Sequence, residues 1–288
     1  MEKTLIIYDK TCSWEKDFLL NDLLIGIDTE IITVSPKKLI SADFYKNISG
    51  KNILVFSSNA NCYADIKKVV LYIKPLVIIH TSDEWGRTPS FLKLERYTKL
   101  YLRQHNCWQY KNIKSYQIPL GYMSGIFDNG SLFVNSKPLQ DRKYVWSFIG
   151  NMKQDRAEML TVFESKFPNY FCDNGISPKD MYDIYRDSIF VVNGRGNVSL
   201  DCFRLYEAII AGAIPVLVGD KAEIDHVFYF NGDKPEYWII ADNWEEAAVK
   251  CKDLLMDSDL LIKYMQGNIK WFKKKVINIQ TIIKAVNL

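Results

Sequence analysis

Residues 192–220 read VNGRGNVSLDCFRLYEAIIAGAIPVLVGD, an order of residue types suited to holding an anion. An apolar run gives way to a loop containing Gly194, Arg195 and Gly196, then to a helical pattern, then to Gly212 and a second apolar run. Glycines in such a loop let the backbone approach a ligand closely or adopt positive φ. Ser199 or Asp201 is positioned to cap the helix, leaving N–H groups at its N-terminus free for a diphosphate. Arg195 would add charge-assisted hydrogen bonds to phosphate oxygens. Arg204 and Glu207 share a helix face with Ala208 and Ala211. Glu207 can accept both hydroxyl protons of a ribose, and Arg204 can meet phosphate or pair with Glu207. The same spacing also suits a surface ion pair on an amphipathic helix.

A second cluster, HTSDEW at 80–85, closes the apolar run Leu76–Ile79. Transfer of a group to a hydroxyl needs a base that takes the proton as the oxygen attacks. Asp83 and Glu84 sit where open parallel sheets present ligand-binding residues, and Glu84 is the first choice for that base. His80 is a third candidate, because imidazole titrates near neutrality. Trp85 offers a stacking surface for a sugar ring. His80 and Tyr122, which follows Gly121, are further candidates for acceptor contact, as is Ser57-Ser58-Asn59. Each has a plain structural reading too: a turn for 83–84 and 57–59, core packing for Tyr122.

Positioning these residues requires alternating strands and helices. Apolar runs predict strands at Leu5–Tyr8, Glu30–Val34, Ile53–Phe56, Leu76–His80, Leu100–Arg103 and Tyr116–Ile118. Helical spacing appears at Trp14–Leu24 and Ala64–Ile73. After a polar, irregular stretch at Ser124–Arg142, the pattern restarts with strands at Tyr144–Ile149, Ile189–Val192, Ile214–Val218 and Trp238–Ile240. Helices are expected at Asp155–Phe167, Phe203–Ala211, Asn243–Met256 and Leu260–Ala285. Strand–helix–strand order predicts parallel sheets with helices on both faces. The reading is therefore two Rossmann-like α/β domains facing a central cleft, residues 1–138 and 139–288, with the last helix packing back on the first domain.

SLDCFRLYEAIIAGAIPVLVGD (Ser199–Asp220) resembles the C-terminal signature of exostosin-type glycosyltransferases, in which Ser/Asp-x-x-Arg-x-x-Glu-Ala precedes Gly-x-Ile-Pro-Val and an acidic residue. SFIGNMKQDRAEML (Ser147–Leu160) resembles the Phe-x-Gly-Asn…Arg element of the same domain. HTSDEWG (His80–Gly86) and IPLGY (Ile118–Tyr122) are similar to elements of the ribitol xylosyltransferase group. The resemblance implies a GT-B fold, a UDP-sugar donor and inversion at the anomeric carbon. It also implies an acceptor side in residues 1–138 and a nucleotide-sugar site in 139–288. By position it implies that Arg204 and Glu207 contact the diphosphate and ribose and that Arg156 is a further phosphate ligand. Gly150 and Asn151 would form the turn beneath the nucleotide. Animal exostosins are membrane-anchored and lumenal, and this chain shows no anchor, so the acceptor of those relatives does not carry over beyond a glycan or glycoconjugate. A UDP-sugar epimerase and a catalytically silent carbohydrate- or nucleotide-binding module are the alternatives on the same fold.

Composition excludes other classes. The 288 residues are 48% hydrophobic and 25% charged, with 37 basic and 34 acidic residues. A net charge of +3 argues against nucleic acid as the main partner. The basic run Lys273–Lys275 reads as a solvated helix face, with a membrane-surface patch as the alternative. Six cysteines without a CxxC pair and three scattered histidines suggest neither zinc nor a disulfide framework. The Asp-x-Asp pattern of metal-dependent GT-A transferases is absent at 83–84, so no metal is expected, and Asp128 and Asp173 read as turns. The chain opens on a strand pattern without an apolar leader, which places the protein in the cytoplasm by expectation and makes the sequons at Asn47, Asn129 and Asn197 chance matches.

Overall fold

The computed structural model describes residues 3–45, 48, 50–106, 116–127, 136–228 and 232–286. Asn47, Cys107, Trp108, Asp128 and Asn129 lie outside them. Six strands form the first sheet: β1 (Thr4–Asp9), β2 (Thr29–Val34), β3 (Asn52–Ser57), β4 (Val77–Thr81), β5 (Leu100–Arg103) and β6 (Tyr116–Gln117). They run in the order β2-β1-β3-β4-β5-β6, with every pairing parallel. The second sheet contains β7 (Tyr144–Ile149), β8 (Tyr170–Asp173), β9 (Ser188–Asn193), β10 (Ile214–Val218) and β11 (Ile239–Ala241). Its order is β11-β10-β9-β7-β8, again all parallel. The two sheets have one topology: each first strand lies between the second and the third. Strands β3 and β4 are buried along their whole length, as parallel strands covered on both faces must be.

Helix α1 (Pro36–Leu39) and α2 (Ala42–Tyr45) are short. Helix α3 (Tyr63–Ile73) buries Ile66, Val69, Val70 and Ile73, one stripe at helical spacing. The second half carries α4 (Arg156–Lys166), α5 (Pro178–Arg186), α6 (Phe203–Ile210), α7 (Lys221–Val227), α8 (Trp244–Leu255) and α9 (Ser258–Ala285). Helix α6 buries six consecutive residues, Leu205 to Ile210, because another element packs on nearly every side. No helix among the described residues is long and apolar enough to cross a membrane.

The expected strands are present within a residue or two of their predicted ends. Several elements were not anticipated, among them the short helices α1, α2 and α7, strand β8 and helix α5. Strand β8 is only four residues long and largely exposed at a sheet edge, so burial left no periodic signal. Helix α5 begins with a capping Ser177, whose hydroxyl accepts from Asp180 N, and with Pro178 at its first turn. The expected helix over Trp14–Leu24 is a π-helix at Phe18–Leu23, closed by Leu24 N donating to Leu19 O at 2.9 Å.

One hydrophobic cluster spans both halves, from Ile6 and Val55 in the first sheet through Phe18 and Tyr122 to Tyr206, Ile209 and Phe272. Phe272 of α9 stacks on Phe18 at 6.3 Å, and Gln280 donates to Asp22 O at 2.6 Å. Gly121 stands at φ +75 with the Phe18 ring against the position of any Cβ. Gly121→Ala combines left-handed strain with overpacking and should cost about 1–3 kcal/mol, read as a lower urea midpoint at unchanged m-value.

Candidate functional site

Between the carboxyl ends of the two sheets lies a cleft of ≈ 800 Å³. In doubly wound sheets, ligands bind where strand order reverses, which is between β1 and β3 in the first sheet and between β7 and β9 in the second. Both switch points open onto this cleft. Thr11, Trp14 and Glu15 follow β1, Ser57 ends β3 and Asn59 follows it, and Glu84 and Trp85 follow β4. Gly150 and Asn151 follow β7, Gly196 and Asp201 follow β9, and Arg156, Arg204 and Glu207 line the same space.

Two arginines form its cationic floor. Arg204 donates from Nε to Ile149 O and from Nη1 to Asn193 Oδ1, both at 3.0 Å, and lies 4.7 Å over the Phe148 ring. Arg156 is 3% exposed, lies 5.4 Å over the same ring and donates to Asn151 O at 2.5 Å. Burial and the Arg204 charge hold the Arg156 guanidinium below its usual range. Its Nε is buried and finds no acceptor among the described residues. Two cations side by side, one buried and one partly buried, favour an anion between them. The glycines make the arrangement possible. A Cβ at Gly150 would stand 2.5 Å from Arg204 Nη2, and one at Gly194 would stand 2.6 Å from Arg156 Cγ. Gly194 therefore makes room for an arginine stem.

Glu207, 2% exposed, accepts from Met123 N at 3.1 Å. Burial pushes its carboxyl up to about 7, against the Met123 N–H and the Arg204 charge, which pull it down. The cap position of α6 is Cys202, which makes no side-chain capping bond. This corrects the expectation for its neighbours: Ser199 Oγ accepts from Asp201 N at 3.0 Å, and Asp201 Oδ1 accepts from Tyr206 OH at 2.7 Å. The α6 N-terminus is thus left without a side-chain cap at the cleft. Burial also raises Asp201 to about 7.

Several sequence candidates are placed elsewhere. Arg195 does not line the cleft: its guanidinium forms a two-pronged pair with Glu223 at 2.6 and 2.8 Å, and its N–H donates to Asp155. Asp83 is buried against Arg103 at 3.2 Å and accepts from Arg87 N. His80 stacks on Phe56 at 4.9 Å and bonds Tyr101 OH at 2.8 Å, and burial holds its imidazole well below the usual range. Tyr122 is fully buried, with its hydroxyl on Asp22 and its ring against Phe18. Glu84 reaches across the cleft to accept from Asn197 N and Nδ2 at 2.5 and 2.6 Å, and a Cβ at Gly196 would collide with it. Trp85 is 41% exposed, with Arg87 stacked 4.3 Å over its ring.

Trp14 and Glu15 escaped the sequence reading, which placed them inside an amphipathic helix. Knowing that β1 borders the switch point is what singles them out. Among the described residues, no group of three or more His, Cys, Asp or Glu side chains could hold a metal ion.

No family model and no curated protein sequence matches this chain. Solved structures do. Anabaena HepE in complex with UDP is similar over 99% of both chains, with TM-score 0.60 at 9% identity. An α-glucosyltransferase in complex with UDP and a 13-mer DNA containing a HMU base is similar over 97% of this chain and 99% of its own, with TM-score 0.57 at 11% identity. A Listeria monocytogenes protein assigned as a UDP-N-acetylglucosamine 2-epimerase is similar over 99% of this chain and 96% of its own, with TM-score 0.52 at 10% identity. Together with the two facing parallel sheets, these likenesses identify the fold as GT-B.

Arg195→Ala should leave the affinity of the cleft for a diphosphate anion within about twofold, because its charge is satisfied by Glu223. Gly194→Ala should weaken it about tenfold or more by displacing the Arg156 stem. Calorimetry on the two variants separates loop position from cleft position.

Proposed function

We propose that this protein is a glycosyltransferase that takes a sugar from a UDP-sugar bound in the C-terminal half and passes it, with inversion, to a glycan or glycoconjugate. The observation that carries the reading is the pair of arginines, Arg156 buried and Arg204 partly buried, beside Glu207 at the β7/β9 switch point, under the uncapped start of α6. Arg156 and Arg204 fit a diphosphate, and their charge would stabilise it as a leaving group without a metal ion. Glu207, with its carboxylate aimed into the cleft, fits the two hydroxyls of a ribose. Gly150 and Asn151 form the floor beneath the nucleotide. The resemblance of 199–220 to exostosin-type enzymes supports UDP as the nucleotide, and UDP is present in the similar structures from Anabaena and of the DNA-bound α-glucosyltransferase. On this reading residues 1–138 hold the acceptor and 139–288 the donor, with Trp85 at the acceptor rim.

Calorimetric titration with UDP, GDP, ADP and CMP, with and without EDTA, is the direct test. UDP alone should bind, and EDTA should not change it. Arg204→Ala and Glu207→Ala should each lose roughly 1.5–3 kcal/mol, about 10- to 150-fold in Kd. An absence of nucleotide binding would remove the donor site. Acceptor-independent isomerisation of a UDP-sugar would instead establish the epimerase.

Glu207 also sets a pH dependence. Below about 7 its carboxyl is protonated and loses one acceptor site for the ribose hydroxyls; above that it is ionised. UDP affinity of the wild type relative to Glu207→Gln should rise as pH climbs from about 6 to 8, since the comparison cancels ionisation of UDP itself. A ratio that stays flat over this range contradicts the assignment of Glu207.

A further inference from the structure

We propose that the loop after β1 is the acceptor site of the transfer reaction: a sugar ring of the acceptor stacks on Trp14, and Glu15 takes its hydroxyl proton. The inference rests on the glycosyl-transfer reading above. It starts from topology, because Trp14 and Glu15 lie beyond the carboxyl end of β1, at the switch point that faces the one holding Arg156 and Arg204. A nucleophile bound there meets a donor bound opposite.

Glu15 is 4% exposed yet lines the cleft. Ser82 Oγ donates to its Oε1 at 2.9 Å, which orients the carboxylate. Ser82 itself stands at φ +64, a left-handed conformation that costs a non-glycine residue energy and that collects at functional sites. Burial raises the Glu15 carboxyl above its ordinary range, opposed by the Ser82 bond, and a stronger base takes a hydroxyl proton more readily. The other two carboxylates after β4 are already engaged, Asp83 by Arg103 and Glu84 by the Asn197 amides.

Trp14 is 60% exposed on the cleft rim while its backbone is pinned, Ser124 N donating to Trp14 O at 2.8 Å. An indole exposed on the cleft rim and held by a fixed backbone matches the apolar CH face of a pyranose. In the step itself, the acceptor O–H proton moves to Glu15 as a lone pair of that oxygen forms the bond to the anomeric carbon. The bond from that carbon to the β-phosphate oxygen breaks, and its electron pair leaves with UDP. Glu15 then returns the proton to solvent.

The test measures UDP release from UDP-glucose, UDP-galactose, UDP-N-acetylglucosamine and UDP-xylose, each with a panel of p-nitrophenyl glycosides, alongside calorimetric UDP affinity. Glu15→Gln, which retains shape and the Ser82 contact, should lose at least about 100-fold in kcat while its Kd for UDP stays within about twofold. Trp14→Ala, at an exposed position, should raise acceptor KM at least about tenfold with the same UDP affinity. A Glu15→Gln variant with wild-type kcat overturns the inference while leaving the donor site intact. A wild type that binds UDP but transfers to no acceptor and isomerises nothing overturns the transfer reading, and this inference with it.

Discussion

Holding two guanidinium groups side by side, Arg156 buried and Arg204 partly buried, is the constraint around which the C-terminal half is organised. A buried charge is tolerated only when hydrogen-bonded and compensated. Arg204 meets this through the Ile149 carbonyl, the Asn193 amide oxygen and the face of Phe148. Arg156 meets it in part, through Asn151 O and the same ring. Residues on β7, β9 and the loops that follow them are thereby tied to a single charged centre. Gly150 and Gly194 clear the volume that side chains there would fill. At this centre Arg156 Nε finds no acceptor among the described residues.

The two halves meet across that centre through polar contacts laid over a shared apolar base. Glu84 reaches from the first sheet to the amides of Asn197, and Met123 N meets Glu207. Below them, Phe18, Tyr122, Tyr206 and Phe272 belong to one continuous cluster, with α9 passing from α8 to the π-helix at 18–23. The cleft walls are therefore joined at their base, with a few hydrogen bonds between them at the rim. Such contacts exchange readily with water and ligand, whereas the buried base does not.

The C-terminal site was the more legible in the sequence because its residues lie within short segments. Arg204 and Glu207 are one helical turn apart, and Gly150, Asn151 and Arg156 fall within seven residues of β7 and its loop. Their local spacing survives folding unchanged. Arg195 and Tyr122 misled for the opposite reason. Arg195 stands in the expected loop, but Glu223, 28 positions away in sequence, draws its side chain aside. Tyr122 follows a strand-like run, but Asp22, 100 positions away, takes its hydroxyl into the core. Local pattern cannot reveal which distant partner captures a side chain.

From the sequence by itself came the alternation of apolar runs and amphipathic segments, and with it the parallel α/β class, the two sheets and the helix carrying Arg204 and Glu207. Those features depend on residues close in the chain, where periodicity reports burial directly. Only the tertiary structure decided the strand order, and strand order decides which loops face one another. It separated Asp83 and His80, closed into the core by Arg103 and Tyr101, from Glu15, left on the cleft by Ser82. Whether a carboxylate serves as a core ion pair or as a cleft base depends on the burial and partners that packing assigns to it, and residue type and spacing carry neither.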